Sequence, residues 1–333
     1  MKRCLLLFLA AALLLCGCGS SRAADSRQYT VTYLNFFDTA TTIVSTDDSE
    51  EAFLEKAGKI YSDLLFYHRL FNIYKTYEGL NNLKTINDQA GLEPVKVDPA
   101  IIQLLLFCRE AYHLTGGKVN AAMGSVLQLW HEARQDGVLP DQAALEEAAL
   151  HTDFSAIEID ENACTVFISD PAASLDVGAI AKGWAAQQVA QAAPEGMIIS
   201  VGGNVCVTGA KDSDGTPWVI GVQDPDHPDQ YVQKISMTQG AAVTSGDYQR
   251  VYTVEGKTYH HIIDPTTNMP AEYWRSVTVV CSDSGLADVL STALFLLPLS
   301  EGMALAEAQG VQAFWLDASG NSYMTTGFQA LIP

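Results

Sequence analysis

The sequence predicts an α+β fold with a mixed or antiparallel sheet and packed helices, and three observations lead there. Of the 333 residues 48% are hydrophobic and 17% are charged, which is enough apolar surface for a sizeable core in one large or two small domains. Over residues 197–279 short β-like runs are punctuated by Gly, Asp and Pro, the mark of many short strands. Elsewhere helical and strand-like stretches alternate without the regular spacing of a doubly wound parallel sheet.

Taken in order, Lys2 and Arg3 followed by an apolar run over 4–16 form a targeting segment that is too short to span a bilayer. Its end, Leu15-Cys16-Gly17-Cys18, resembles a bacterial lipobox, with Gly17 before the cleavage point and Cys18 taking the lipid. Residues 1–17 are then a lipoprotein signal, 18–28 a small, polar, lipid-anchored tether, and 29–333 the folded domain, held outside the cytoplasm at a bacterial cell membrane. An ordinary secretory signal would lead to the same compartment. The stretch 29–45, rich in Thr, Tyr, Val and Ile, reads as two strands broken around Phe37-Asp38. Asp48 with Glu51 makes a capping pair for a helix whose Phe53, Leu54, Ala57, Ile60, Tyr61, Leu64 and Leu65 share one face. Asp98-Pro99 starts a second helix that stops at Gly116. Shorter helices are expected over 121–134 and 142–150, a hairpin over 156–168 turning at Glu161-Asn162, and a last helix over 286–297.

Charge narrows the function. Nineteen Lys and Arg against 39 Asp and Glu leave −20, a balance that repels phosphate backbones, so no nucleic-acid partner is expected. A small phosphate ligand would have to be held locally, by a helix N-terminus, a lysine or a metal ion. Cys108, Cys164, Cys206 and Cys281 are dispersed without C-x-x-C spacing, so no zinc site is indicated. Each lies in an apolar stretch and reads as a buried free thiol, with one disulfide as the alternative. The P-loop, zinc-protease and hydrolase-elbow motifs are absent, and Ser200-Val-Gly-Gly-Asn204 lacks the spacing of a dinucleotide fingerprint.

Four polar clusters remain. Leu175-Asp-Val-Gly-Ala-Ile-Ala-Lys-Gly-Trp184 runs into a helix, where glycines, free N–H groups and Lys182 suit a phosphate; a plain strand-to-helix turn fits it equally well. Ser200-Val-Gly-Gly-Asn204 brings a strand end close to a ligand or to another backbone. In Tyr259-His-His-Ile-Ile-Asp-Pro265 the histidines, read as strand residues, point to opposite faces, and Asp264 can orient an imidazole. In Ala287-Asp-Val-Leu-Ser-Thr292, Asp288 and Thr292 lie on one face of an apolar helix, where an unpaired carboxylate would be costly. A hard cation such as Mg²⁺ suits that pair; a buried lysine or arginine beside Asp288 is the blander alternative.

Together with Thr244-Ser-Gly-Asp-Tyr248, Asn81-Asn-Leu-Lys-Thr-Ile-Asn87 and Thr115-Gly-Gly-Lys-Val-Asn120, these clusters resemble, in order and from about Phe36 to the C-terminus, the ApbE family of flavin transferases. The resemblance implies a T-fold-like α+β architecture with FAD in a cleft and dependence on Mg²⁺. It implies FAD contacts at Phe37, Lys118, Val119, Asn120, Asp176, Lys182 and Ile262, and metal ligation by the Ala179 carbonyl, Asp288 and Thr292. The chain departs from the family pattern at Ala179 and Asn268, where glycine is common, and at Val119-Asn120, where Phe-Asp is frequent. The implied activity is transfer of FMN from FAD to a serine or threonine of an exported or membrane flavoprotein, with AMP leaving and His261 taking the hydroxyl proton or orienting the pyrophosphate. Two alternatives stand beside it: a Mg²⁺-dependent FAD pyrophosphatase yielding FMN and AMP, and an extracytoplasmic flavin-binding lipoprotein without chemistry.

Overall fold

The computed structural model describes residues 27–333, so the signal segment and Cys18 lie outside the described residues. Its frame is an eight-stranded sheet formed by Arg27–Phe36, Thr39–Asp47, Met197–Val201, Asn204–Val207, Gly240–Gly246, Ser276–Cys281, Gln312–Leu316 and Ser322–Met324. Neighbours in the sheet are neighbours in the chain, and every pairing is antiparallel. The remaining elements are excursions that return to the next free edge. Such a sheet fulfils the α+β expectation in its antiparallel form.

Period-two alternation divides the core between the two faces. Val243, Val279, Ala313 and Trp315 point into a cluster with Leu290, Leu294 and Phe295 of the helix Ser284–Phe295. Ala242, Val280, Phe314 and Leu316 point the other way, under the hairpin Trp218–Gln223/Tyr231–Met237 and the short helix Thr326–Gln329. The helices Glu50–Leu70, Pro99–Leu114 and Ala181–Ala192 pack into a further cluster around Ile43, Ile199 and Val201.

Local chemistry explains most element boundaries. The break at Phe37-Asp38 separates the first two strands, as expected. The first long helix is capped by Ser49, whose hydroxyl accepts from the Ala52 N–H at 3.2 Å, and not by Asp48; Glu50 and Glu51 then lie in its first turn, at the positive end of the helix dipole. Asp98-Pro99 opens Pro99–Leu114, with the carboxylate accepting from Ala100 N–H. The helix expected from residue 121 begins at Gly124, because the Asn120 carboxamide holds the preceding turn through the Ala122 N–H. The hairpin Ile157–Asp160/Thr165–Ile168 turns over 161–164. Cys108 and Cys206 are buried, but Cys164, left-handed in that turn, and Cys281 are partly open; no disulfide joins the four.

Candidate functional site

In an antiparallel sheet alternate connections emerge at the same end, so the turns 37–38 and 202–203 and the long connection 247–275 leave from one edge. With the segments around Lys118, Trp130, Asp176, His261 and Asp288 they line a single cleft. Gly202 (φ 59°) and Gly203 (φ 91°) close a two-residue hairpin that only positive φ permits. A Cβ on Gly202 would stand 2.6 Å from Thr39 Cγ2, so the missing side chain lets two connections pack. Phe37 (φ 50°) and Asp38 (φ 54°) are left-handed as well, at a cost on the order of 1 kcal/mol each. Side chains from elsewhere hold this turn: Phe37 N–H donates to His68 Nδ1 at 3.1 Å, and the Phe37 carbonyl accepts from Arg250 Nη2 at 3.0 Å. Asp38 and Thr39 line the cleft, whereas the Phe37 ring packs edge-on against His68 and does not.

The floor is formed by two helices in contact, Ala181–Ala192 and Ser284–Phe295. Asp288 is 3% exposed, and its Oδ2 accepts from Gly183 N–H and from Asn204 Nδ2, each at 2.8 Å. A first-turn N–H of the helix after Asp176 is therefore spent on a carboxylate and is not left free for a ligand. Lys182 Nζ stands 3.7 Å from the same oxygen and donates to the Gly178 carbonyl at 3.1 Å. Burial pushes the Asp288 pKa up, against the pull of Lys182, Gly183 N–H and Asn204. Oδ1 accepts no hydrogen bond among the described residues and is not sealed from the cleft. Ala179 and Thr292 line the same recess, and Ser245 links Ser291 (2.8 Å) to Thr292 (3.4 Å). A carboxylate oxygen without a partner, a hydroxyl and a carbonyl are hard oxygen donors, a set that fits Mg²⁺. Among the described residues no group of three His, Cys, Asp or Glu side chains gathers that could hold a metal ion, so a cation here would rest on a single carboxylate with hydroxyl and carbonyl oxygens.

The upper wall carries the other expected residues. The Asn87 carboxamide pairs with both the N–H (2.8 Å) and the carbonyl (3.0 Å) of Leu175, which fixes the segment presenting Asp176. Asp176 accepts from Gly178 N–H at 2.8 Å; burial raises its pKa, while Arg250, His131 and Lys182 oppose the rise. Lys118 bonds to Asp264 and to Thr266, both at 2.9 Å, so Asp264 orients a lysine and not an imidazole. Val119 is 2% exposed, and Asn120 spends its amide on the Thr152 carbonyl (2.8 Å) and the Ala122 N–H (2.9 Å). Both touch the cleft, and these two bonds hold the Asn120 side chain in place. Ile262 is buried in the cleft wall.

The histidine pair lies beyond its strand, which ends at Tyr259. His260 is a structural residue: Nε2–H donates to the Ala271 carbonyl at 2.7 Å and Nδ1 accepts from Ile262 N–H at 3.2 Å. His261 lines the cleft, with Nδ1–H donating to the Gln249 carbonyl at 3.1 Å, which leaves Nε2 as an acceptor. Although its edge is open to the cleft, desolvation by the surrounding walls, then Arg250, Lys182 and His260, lower its pKa to about 3. The imidazole is neutral near pH 7. Asn268 (φ 57°) takes the left-handed turn expected where glycine is common, and Trp130 Nε1 donates to its carbonyl at 2.9 Å.

Sequence reasoning missed one end of the cleft. Tyr74 stacks on His131 (5.1 Å, 29°), and Arg134 and Arg250 stand near it. Burial and Asp176 push the Tyr74 hydroxyl up to about 12, against Arg250. Tyr74 precedes the Asn81–Asn87 segment without a periodic or motif signal of its own. Asn204 was read only as the end of a glycine turn, although its side chain anchors Asp288.

Comparison with known proteins places this geometry. A model described as the ApbE family matches residues 37–315. A Klebsiella pneumoniae (strain 342) protein named FAD:protein FMN transferase is 32% identical over 273 residues, 78% of this chain and 84% of that protein. A Treponema pallidum (strain Nichols) protein of the same name is 34% identical over 256 residues, 70% of each chain. Among solved structures, the ApbE protein of Thermotoga maritima superposes with a TM-score of 0.82 at 28% identity, covering 92% of this chain and 100% of that one. The flavin transferase ApbE of Vibrio cholerae gives 0.77 at 26% identity with the same coverage.

Proposed function

The chain belongs to the ApbE family, and from that premise we propose that it is an FAD:protein FMN transferase, moving FMN from FAD to a serine or threonine hydroxyl of an exported or membrane flavoprotein and releasing AMP. The observation that carries the reading is Asp288: a buried carboxylate with one oxygen fixed by Gly183 and Asn204, the other without a hydrogen bond among the described residues, and Lys182 beside it. A site that only stored a flavin has no use for that arrangement. Asp288, Thr292 and the Ala179 carbonyl would hold Mg²⁺, which when bound supplies positive charge to the pyrophosphate.

The chain's own residues do the rest. Lys182, beside Asp288 at the floor of the cleft, meets the anionic pyrophosphate. His261 Nε2, left as an acceptor because Nδ1–H donates to the Gln249 carbonyl, is the base that faces the cleft. The acceptor hydroxyl attacks the phosphorus on the FMN side, its proton passes to Nε2, and the bond to the bridging oxygen breaks so that AMP leaves carrying that oxygen. A phosphodiester joins FMN to the acceptor.

The test is to incubate the mature protein with FAD and Mg²⁺, with and without a candidate exported flavoprotein subunit. The expected result is an acceptor mass gain of one FMN residue, with AMP appearing in step. AMP without acceptor labelling would make the enzyme a pyrophosphatase, and no AMP in either arm would overturn the reading. The same proposal places the chain on a lipid at Cys18, outside the cytoplasm. The mass of the native N-terminal peptide should show acylation, and an unmodified mature chain free in the medium would contradict it.

A further inference from the structure

Arg250 is outside the motif residues that carry the flavin chemistry, yet it joins the two walls of the cleft. It lies in the connection that follows Gly240–Gly246 and donates from Nη2 to the Phe37 carbonyl at 3.0 Å, across 213 residues of sequence. Three left-handed residues other than glycine meet at this contact: Phe37 (φ 50°), Asp38 (φ 54°) and Arg250 itself (φ 49°). Such conformations persist where the surroundings over-determine them. Here the surroundings are two side chains, since His68 takes the Phe37 N–H and Arg250 the Phe37 carbonyl. The next two residues of the turn, Asp38 and Thr39, line the cleft, and Thr39 packs against the Gly202 hairpin.

We propose that Arg250 is a positioning residue: it latches the Phe37–Asp38 turn in its left-handed form and so sets the cleft wall that receives the dinucleotide. The inference rests on the flavin-transferase reading for the identity of that ligand, but the latch itself is a property of the free protein. Loss of the latch impairs capture of FAD and leaves the transfer step alone. The guanidinium's other N–H groups make no hydrogen bond among the described residues, so a direct grip on the ligand is the competing role.

The test separates these. In ligand-free protein, R250A should speed hydrogen exchange at the Phe37 amide, which His68 holds in the latched turn, about tenfold, with the melting temperature unchanged; unchanged exchange overturns the latch whether or not the protein uses FAD. In the transfer assay, R250A should raise the KM for FAD about tenfold with kcat within about twofold, as expected for the loss of one charge-assisted hydrogen bond. R250K, which keeps one donor, should recover part of it. Replacing Asp38 with glycine makes the left-handed form cheap, so R250A/D38G should regain much of the lost affinity, whereas R250A/D38A, which removes the same charge but keeps a Cβ that disfavours that form, should not. Equal rescue by both, or a fall in kcat at constant KM, would assign Arg250 to ligand charge or to the transition state and overturn the proposal. Faster exchange in R250A with no FAD binding even by the parent would sink the flavin reading and leave the latch standing.

Discussion

Asp288→Asn should lower AMP release and acceptor labelling roughly 100-fold or more while leaving the melting temperature of the ligand-free protein within about 2 °C of the parent. The asparagine carbonyl can replace Oδ2 as acceptor for Gly183 N–H and Asn204, which puts an NH₂ where the unpartnered Oδ1 stood. A donor in that position cannot ligate a cation. Breaking a sealed ion pair costs roughly 3–5 kcal/mol, and Lys182 at 3.7 Å is the partner to consider. Its side chain, however, is 21% exposed and already bonded to the Gly178 carbonyl, so it is not stranded. Burial also disfavours the charge on Asp288, so removing that charge relieves a cost in the empty site. The stabilisation that Mg²⁺ and FAD give the parent should vanish in the variant, since only ligands that bind the folded state raise its stability. Thermal melts with and without both ligands check this beside the AMP assay. Full turnover, or unfolding with the metal response intact, would remove Asp288 from the metal site.

The sequence carried the local rules well. Asp98-Pro99 could only begin a helix, the polar turn at Glu161-Asn162 could only close a hairpin, and the glycine pair after Val201 had to turn the chain. The family was legible too, because seven segments in a fixed order are far more specific than any one of them. What stayed hidden was pairing at long range. Lys182 and Asp288 are far apart in sequence, and nothing in the periodicity of either helix says that the start of one meets the middle of the other. Of the two readings kept open for Asp288, the lysine stands beside Oδ2 at 3.7 Å, and the proposed cation would take Oδ1.

Errors at the site share a cause. Assigning the histidines to a strand put them on opposite faces by a rule that does not apply beyond Tyr259, and Asp264 was given to an imidazole because it is near in sequence, although Lys118 claims it from 146 residues away. Phe37 was expected as an FAD contact in the early flavin-binding segment; its ring packs edge-on against His68, and the adjoining cleft wall is Asp38 and Thr39. Residues whose side chains serve the backbone, such as Asn87 and Asn120, cannot be told by type from those that serve a ligand.

The sharpest structural prediction concerns the contact between the two floor helices. Gly183→Ala should cost about 1–3 kcal/mol of stability and most of the activity together, because a Cβ there would overlap both Asp288 Cβ and the Ser284 carbonyl oxygen. Trimming a side chain cannot relieve a clash with a carbonyl. The helices must separate, and separation pulls the Gly183 N–H off Asp288 Oδ2. The same chemical change elsewhere has the opposite sign: Gly58, in the exposed face of Glu50–Leu70, has nothing within 4 Å of a built Cβ, so Gly58→Ala should stabilise by roughly 0.5–1 kcal/mol through helix propensity. Melting curves of the two variants should therefore move apart by several degrees around the parent. Asp288→Asn loses activity at constant stability, whereas Gly183→Ala loses both. A Gly183→Ala enzyme that melts with the parent and still labels its acceptor would mean that the close approach of these helices does not set the site.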